Sequence, residues 1–174
     1  MKISRVFNLL LLIFPILAFI SYTYSAVALT ITFLTFTYHI WMRAICGAIF
    51  SMVKLNGDEA IFRVSEREIK LYERLGVKSW KDKLPTYRPE QFKVKDLKQL
   101  YINMLHSELV HIAIVILSYV PLIISIFWSY LNDSILIFLI TSVLSSLMDM
   151  SFVVAQRYNS PRVKRLMSLI VKEH

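Results

Sequence analysis

Two long stretches of chain that are almost free of charge, held apart by a densely charged one, limit what this sequence can fold into. Residues 6–50 contain one cation, Arg43, and no acid, and residues 109–156 contain two acids, Asp133 and Asp149, and no Lys or Arg. Residues 54–106 carry twelve Lys and Arg. A soluble domain has no core large enough to hide such runs, and its charged fraction is usually about 25% against 18% here. The layout excludes a soluble globule, a disordered chain and a coiled coil. It predicts an all-α integral membrane protein, a single membrane domain over residues 1–174, with about four transmembrane helices and a cytoplasmic amphipathic helical segment between spans two and three.

A helix needs about 20 apolar residues to cross about 30 Å of hydrocarbon. Residues 6–50 therefore suit two crossings, near 5–22 and 26–45, joined by a turn at Ser21–Ser25. Two more are expected near 109–128 and 134–154, joined at Leu131-Asn132-Asp133, with 54–106 as the cytoplasmic helical segment. Pro15 and Pro121 fall inside spans, where proline is tolerated. The two short turns hold no cation, whereas Lys2 and Arg5, the 54–106 segment, and Arg157, Arg162, Lys164, Arg165 and Lys172 flank the opposite ends. Positive charge marks the cytoplasmic side, so a multi-pass protein of the cell membrane with both termini cytoplasmic is expected.

The net charge of +8 fits that distribution and contact with anionic membrane lipids, so no nucleic-acid partner is expected. The single Cys46 cannot form an internal disulfide. Lys2 and Arg5 before Val6–Ile20 resemble a signal peptide, but a second apolar run follows at once, so an uncleaved first span is expected.

The central segment has folding signals of its own. Gly57-Asp58 reads as a turn. Ser65 with Glu68 three residues later has the capping-box pattern, Ile69, Tyr72 and Leu75 follow at helical spacing, and Gly76 suits a helix end. Trp80 among Lys78, Lys81 and Lys83 has the composition of an interfacial anchor, and Val94–Leu105 reads as an amphipathic helix.

Three groups of residues carry possible chemistry. Glu108 and His111 share a helix face where the third span begins, and a carboxylate beside an imidazole orients the ring for proton abstraction from an alcohol. His106 is less favourably aligned. Gln156-Arg157-Tyr158-Asn159-Ser160-Pro161-Arg162 ends the fourth span with donors for phosphate, carboxylate or sugar hydroxyls, Pro161 fixing a turn. Asp149, inside that span, needs a partner; Arg43 or His39 would serve structurally, and a substrate hydroxyl is the rival. The chain has no H-E-x-x-H motif, no glycine-rich phosphate loop, no G-x-S-x-G and no H-x-x-x-x-D box. No metal site and no resident cofactor are expected.

These blocks resemble the glycosyl-4,4'-diaponeurosporenoate acyltransferase family, the last enzyme of staphyloxanthin-type carotenoid synthesis. The likeness rests on Glu108-Leu109-Val110-His111, on Gln156 to Arg162 where the family pattern is Q-R-Y-N-R-P-R, and more loosely on Tyr72-Glu73, Val77, Trp80-Lys81 and Lys83-Leu84. Ser160 departs from that pattern, which has arginine there. The resemblance implies a membrane acyltransferase that esterifies a sugar hydroxyl of a lipid-linked or carotenoid glycoside with a fatty acyl chain. An acyl donor such as a thioester is then a substrate rather than a cofactor. His111 would be the general base and Glu108 its orienting group. Gln156, Arg157, Tyr158, Asn159, Arg162 and Asp149 would bind substrate, Arg157 and Asn159 holding the donor's phosphates or the sugar. The alternatives are a non-catalytic lipid-binding or assembly module, which expects Glu108 to be paired with a flanking cation, and a membrane methyltransferase.

Overall fold

The computed structural model describes residues 3–84 and 97–172. Helices α1 (Ile3–Thr23) and α2 (Val27–Phe50) are followed by a 3-10 turn (Ala60–Phe62) and the short helices α3 (Glu66–Arg74) and α4 (Val77–Trp80). Then come α5 (Leu97–Leu117), α6 (Val120–Phe127), a 3-10 turn (Ser129–Ser134) and α7 (Ile135–Lys172). There is no strand among the described residues. Four stretches are long and apolar enough to cross a membrane: Arg5–Thr23, Val27–Phe50, Leu97–Phe127 and Ile135–Leu169. Pro85, Pro89 and the first residues of the helix expected over Val94–Leu105 lie outside the described residues.

The chain divides into two compact units. The first comprises Met1–Ile49 and Ala113–Met148. Its outward faces are apolar, with Leu12, Phe19, Leu34, Ile116, Leu136 and Leu144 exposed, the surface that lipid solvates. Within it, two prolines each lack the N–H that would bond the carbonyl four residues earlier. Pro15 frees the Leu11 carbonyl, and Trp41 Nε1 donates to it at 3.1 Å. Pro121 frees the Leu117 carbonyl, and the Tyr38 hydroxyl donates to it at 2.8 Å. Backbone acceptors released where water is absent are thus taken up by side chains of α2. Arg43 is likewise engaged: Nη1 donates to the His39 carbonyl at 2.9 Å and Nη2 to Ser145 Oγ at 2.8 Å. The turn after α1 forms at Ser25, whose φ is 55°.

The second unit comprises Phe50–Ile112 and Asp149–His174. One buried cluster joins Phe62, Leu100, Tyr101, Met104, Leu105 and Val163. A second joins Tyr72, Val77 and Tyr158, with Trp80 packed against it. Trp80, read from composition as an interfacial anchor, is half-buried here and donates Nε1–H to the Leu75 carbonyl at 3.2 Å. The capping box forms: Ser65 Oγ accepts from the Glu68 N–H while Glu68 reaches back to the Ser65 N–H. Gly76, at φ 63°, follows α3 in the left-handed conformation that glycine adopts without a Cβ clash. Gly57 is required twice over, because its φ is 91° and a Cβ there would sit 2.8 Å from Tyr101 Cε1.

Helix α7 corrects one expectation. Pro161 was expected to fix a turn after span four, but it lies inside a helix of 38 residues. At 1.5 Å per residue that helix is about 57 Å long, well beyond the hydrocarbon thickness. Tyr158, Asn159, Ser160 and Val163, all buried, hold the helix on course through the proline.

Candidate active site

The chemistry-bearing residues of the second unit collect where α5 and α7 run past each other. Glu108 and His111 stand one turn apart on α5, and Asp149 and Arg157 two turns apart on α7. The partners are exchanged relative to expectation. His111 Nδ1 lies 2.8 Å from Asp149 Oδ1, and Glu108 Oε1 accepts from Arg157 Nη1 at 2.5 Å. The pairs run in opposite sequence order on the two helices, as antiparallel neighbours require.

The Arg157 guanidinium has five N–H donors, and all five are used. Nε donates to Glu68 Oε1, and Nη2 to Glu68 Oε2 at 3.2 Å. Nη1 donates to Glu108 and to the Ile61 carbonyl at 2.9 Å, and Nη2 also donates to the Arg63 carbonyl at 3.2 Å. Arg157 therefore clips α3, α5 and the 60–63 turn onto α7. Arg157 is the residue expected to hold substrate phosphate, and here its donors are engaged within the protein. Glu108, 1% exposed, is likewise committed to Arg157 rather than to the imidazole.

Glu68 carries three duties at once. It caps α3, forks onto Arg157 and accepts the Tyr72 hydroxyl. The hydrogen bond from Arg157 holds its carboxyl below the usual carboxylate range, outweighing partial burial. Burial, then the bond to Glu68, pushes the Tyr72 phenol well above its usual value. A carboxyl depressed in the folded state contributes stability that is complete above its unfolded pKa and is lost as pH falls through its folded value. Thermal stability is thus expected to fall on the acid side of neutrality, below the usual carboxylate range. Glu68→Gln is expected to be less stable at neutral pH but to show a shallower acid-side decline; an unchanged slope would mean that Glu68 does not drive it.

His111 faces a buried carboxylate through one ring nitrogen. A carboxylate only accepts, so Nδ1 carries the hydrogen toward Asp149, and in the neutral ring this leaves the lone pair on Nε2. The His111 side chain is 19% exposed while Asp149 is 1% exposed, so the ring has an open side and its anchor is fixed. Phe152 stacks on the imidazole with centroids 4.7 Å apart. Asp149 was a substrate-binding candidate by sequence; its place here is behind the histidine. The sequence signal for that pairing is weak, because the two residues are 38 positions apart on different helices.

The remaining candidates are placed as follows. Tyr158 is buried, and its hydroxyl accepts from Arg162 Nη2 at 2.7 Å while the Arg162 guanidinium lies 4.4 Å from the ring centroid. Gln156 Nε2 is 3.5 Å from Ser107 Oγ. Asn159 is 5% exposed. His106 faces two carbonyls, Ile102 at 3.0 Å and Val53 at 2.7 Å, which ties it to the chain after α2. No group of three or more His, Cys, Asp or Glu is arranged to hold a metal among the described residues.

Residues 58–169 match the family model described as glycosyl-4,4'-diaponeurosporenoate acyltransferase (CrtO). No curated protein and no solved structure matches the chain.

Proposed function

The chain belongs to the glycosyl-4,4'-diaponeurosporenoate acyltransferase family and is an acyltransferase, and on that premise we propose that it esterifies a sugar hydroxyl of a membrane-held carotenoid glycoside with a fatty acyl chain, using His111 as general base and Asp149 to orient it. The observation that carries the reading is the 2.8 Å contact between His111 Nδ1 and a buried Asp149 carboxylate.

In this mechanism His111 Nε2 takes the proton of the sugar hydroxyl as its oxygen attacks the carbonyl of the acyl donor. The new C–O ester bond forms, the bond from the carbonyl to the leaving group breaks, and the imidazolium returns the proton to that leaving group. With a thioester donor the products are the acylated glycoside and a thiol. Asp149 holds the productive tautomer and stabilises the imidazolium between the two transfers. Arg157, Glu68 and Glu108 fix the α5–α7 register on which that contact depends, and so act as positioning residues. The flanking cations support a cell-membrane protein with both termini cytoplasmic, which puts the donor on the cytoplasmic side.

Asp149→Asn tests the orienting role. An asparagine keeps the shape but can present its amide N–H to Nδ1 and favour the wrong tautomer. Ester formation, read by mass spectrometry of extracts from cells supplying the glycoside, is expected to drop about a hundredfold or more. Activity equal to the unaltered chain would remove Asp149 from the mechanism.

A further inference from the structure

Helix α3 packs one side inward and leaves the other exposed. Tyr72 is buried against Val77 and Tyr158, and Glu68 is bonded to Arg157. On the outer side Leu71 and Leu75 are 51% and 56% exposed, with Arg67, Lys70 and Arg74 exposed beside them. No ion pair engages these cations among the described residues.

The outer side chains are sorted. At about 100° per residue they fall around the helix in the order Leu75, Leu71, Arg67, Arg74, Lys70, Glu66, Glu73. Apolar, cationic and acidic groups thus form successive strips. That is the order met on passing from hydrocarbon through phosphate headgroups to water. A face exposed only to water has no physical reason to sort its charges in this way.

The depth of the helix fits the same reading. Glu108 and Arg157 bound the run of residues 109–156 that has no Lys or Arg, so they mark where apolar chain gives way to charge. Glu68 of α3 accepts from the Arg157 guanidinium, which also donates to Glu108. These bonds fasten α3 at the edge of the apolar run, the level of the headgroups.

We propose that this face of α3 is a docking surface for anionic phospholipids, with Leu71 and Leu75 turned toward the acyl chains and Arg67, Lys70 and Arg74 meeting the phosphates. Each cation close to an anionic surface strengthens such contact about fivefold. An acidic protein suits the face less well, because Glu66 and Glu73 border the same cations. The surface uses neither His111 nor Asp149 and stands apart from the chemistry proposed for them.

The test places a nitroxide label, one site at a time, on Leu71→Cys, Leu75→Cys, Glu66→Cys and Glu73→Cys in the full chain carrying Cys46→Ala. The chain is held in nanodiscs of phosphatidylcholine, with or without phosphatidylglycerol. Spin resonance then compares collisions with oxygen, which concentrates in lipid, and with a nickel chelate, which stays in water. With phosphatidylglycerol present, the oxygen-to-nickel ratio is expected to be several-fold higher at 71 and 75 than at 66 and 73. That contrast is expected to shrink in neutral lipid, in high salt, and in the combined variant Arg67→Gln, Lys70→Gln, Arg74→Gln. Labels at 71 and 75 that meet nickel as freely as those at 66 and 73 overturn the proposal, because the face is then bathed in water. Labels at 71 and 75 that neither reagent reaches also overturn it, in favour of a protein cover. A contrast unchanged by the lipid charge and by the combined variant overturns the role of the cations.

Discussion

Replacing His111 with alanine is expected to lower ester formation about 10²–10⁴-fold, equivalent to about 3–5 kcal/mol of barrier. A sugar hydroxyl is a poor nucleophile until its proton is taken, and among the described residues no other histidine of the second unit has a ring nitrogen open for the task. His106 places both nitrogens against backbone carbonyls. Alanine also removes the Nδ1 donor from Asp149, a buried carboxylate, so lost activity must be separated from lost structure. His111→Asn supplies that control, since its amide N–H can still donate to Asp149 but its side chain is no base. Both variants are expected to be inactive, and the asparagine variant to unfold at nearly the temperature of the unaltered chain. An active asparagine variant would show that His111 serves only to donate a hydrogen bond to Asp149.

The second large effect is on stability. Arg157→Ala is expected to cost about 3–5 kcal/mol, the usual consequence of removing one partner from a buried ion pair. Glu108, at 1% exposure, would be left buried without its partner, and the carbonyls of Ile61 and Arg63 would lose their donor. Arg157→Lys is expected to recover only part of the loss, because three N–H groups on a single nitrogen cannot reproduce five in a planar fork. Glu68→Gln, at a carboxylate 23% exposed, is expected to cost less than either change at Arg157. Chemical denaturation of the purified variants measures the order. If Arg157→Ala unfolded like the unaltered chain, the guanidinium would be free to bind substrate after all.

Much of this arrangement is legible in the residues. The uncharged runs gave four membrane-crossing stretches, and Ser65, Glu68 and Gly76 marked both ends of α3, because these are local signals fixed by chain length and backbone hydrogen bonding. The family resemblance read from Glu108–His111 and Gln156–Arg162 agrees with the family match. What was not legible is pairing across helices. Glu108 and His111, one turn apart, look like partners, but a nearby cation on α7 competes more strongly for a buried carboxylate than a neutral imidazole does. Glu68 carried a visible reason for existing, its cap, which hid its second bond to a residue 89 positions away. Pro161 reads as a helix stop by propensity, and packing of its buried neighbours overrides it.

The claim on which the rest depends is that His111 and Asp149 work as one unit. A double-mutant cycle measures this directly: ester formation per folded molecule for the unaltered chain, His111→Ala, Asp149→Ala and the two together. If the histidine needs the aspartate only to hold and stabilise its ring, the double variant is expected to be no slower than His111→Ala alone. Losses that multiply across the cycle would mean that the two residues act separately, and would contradict the dyad.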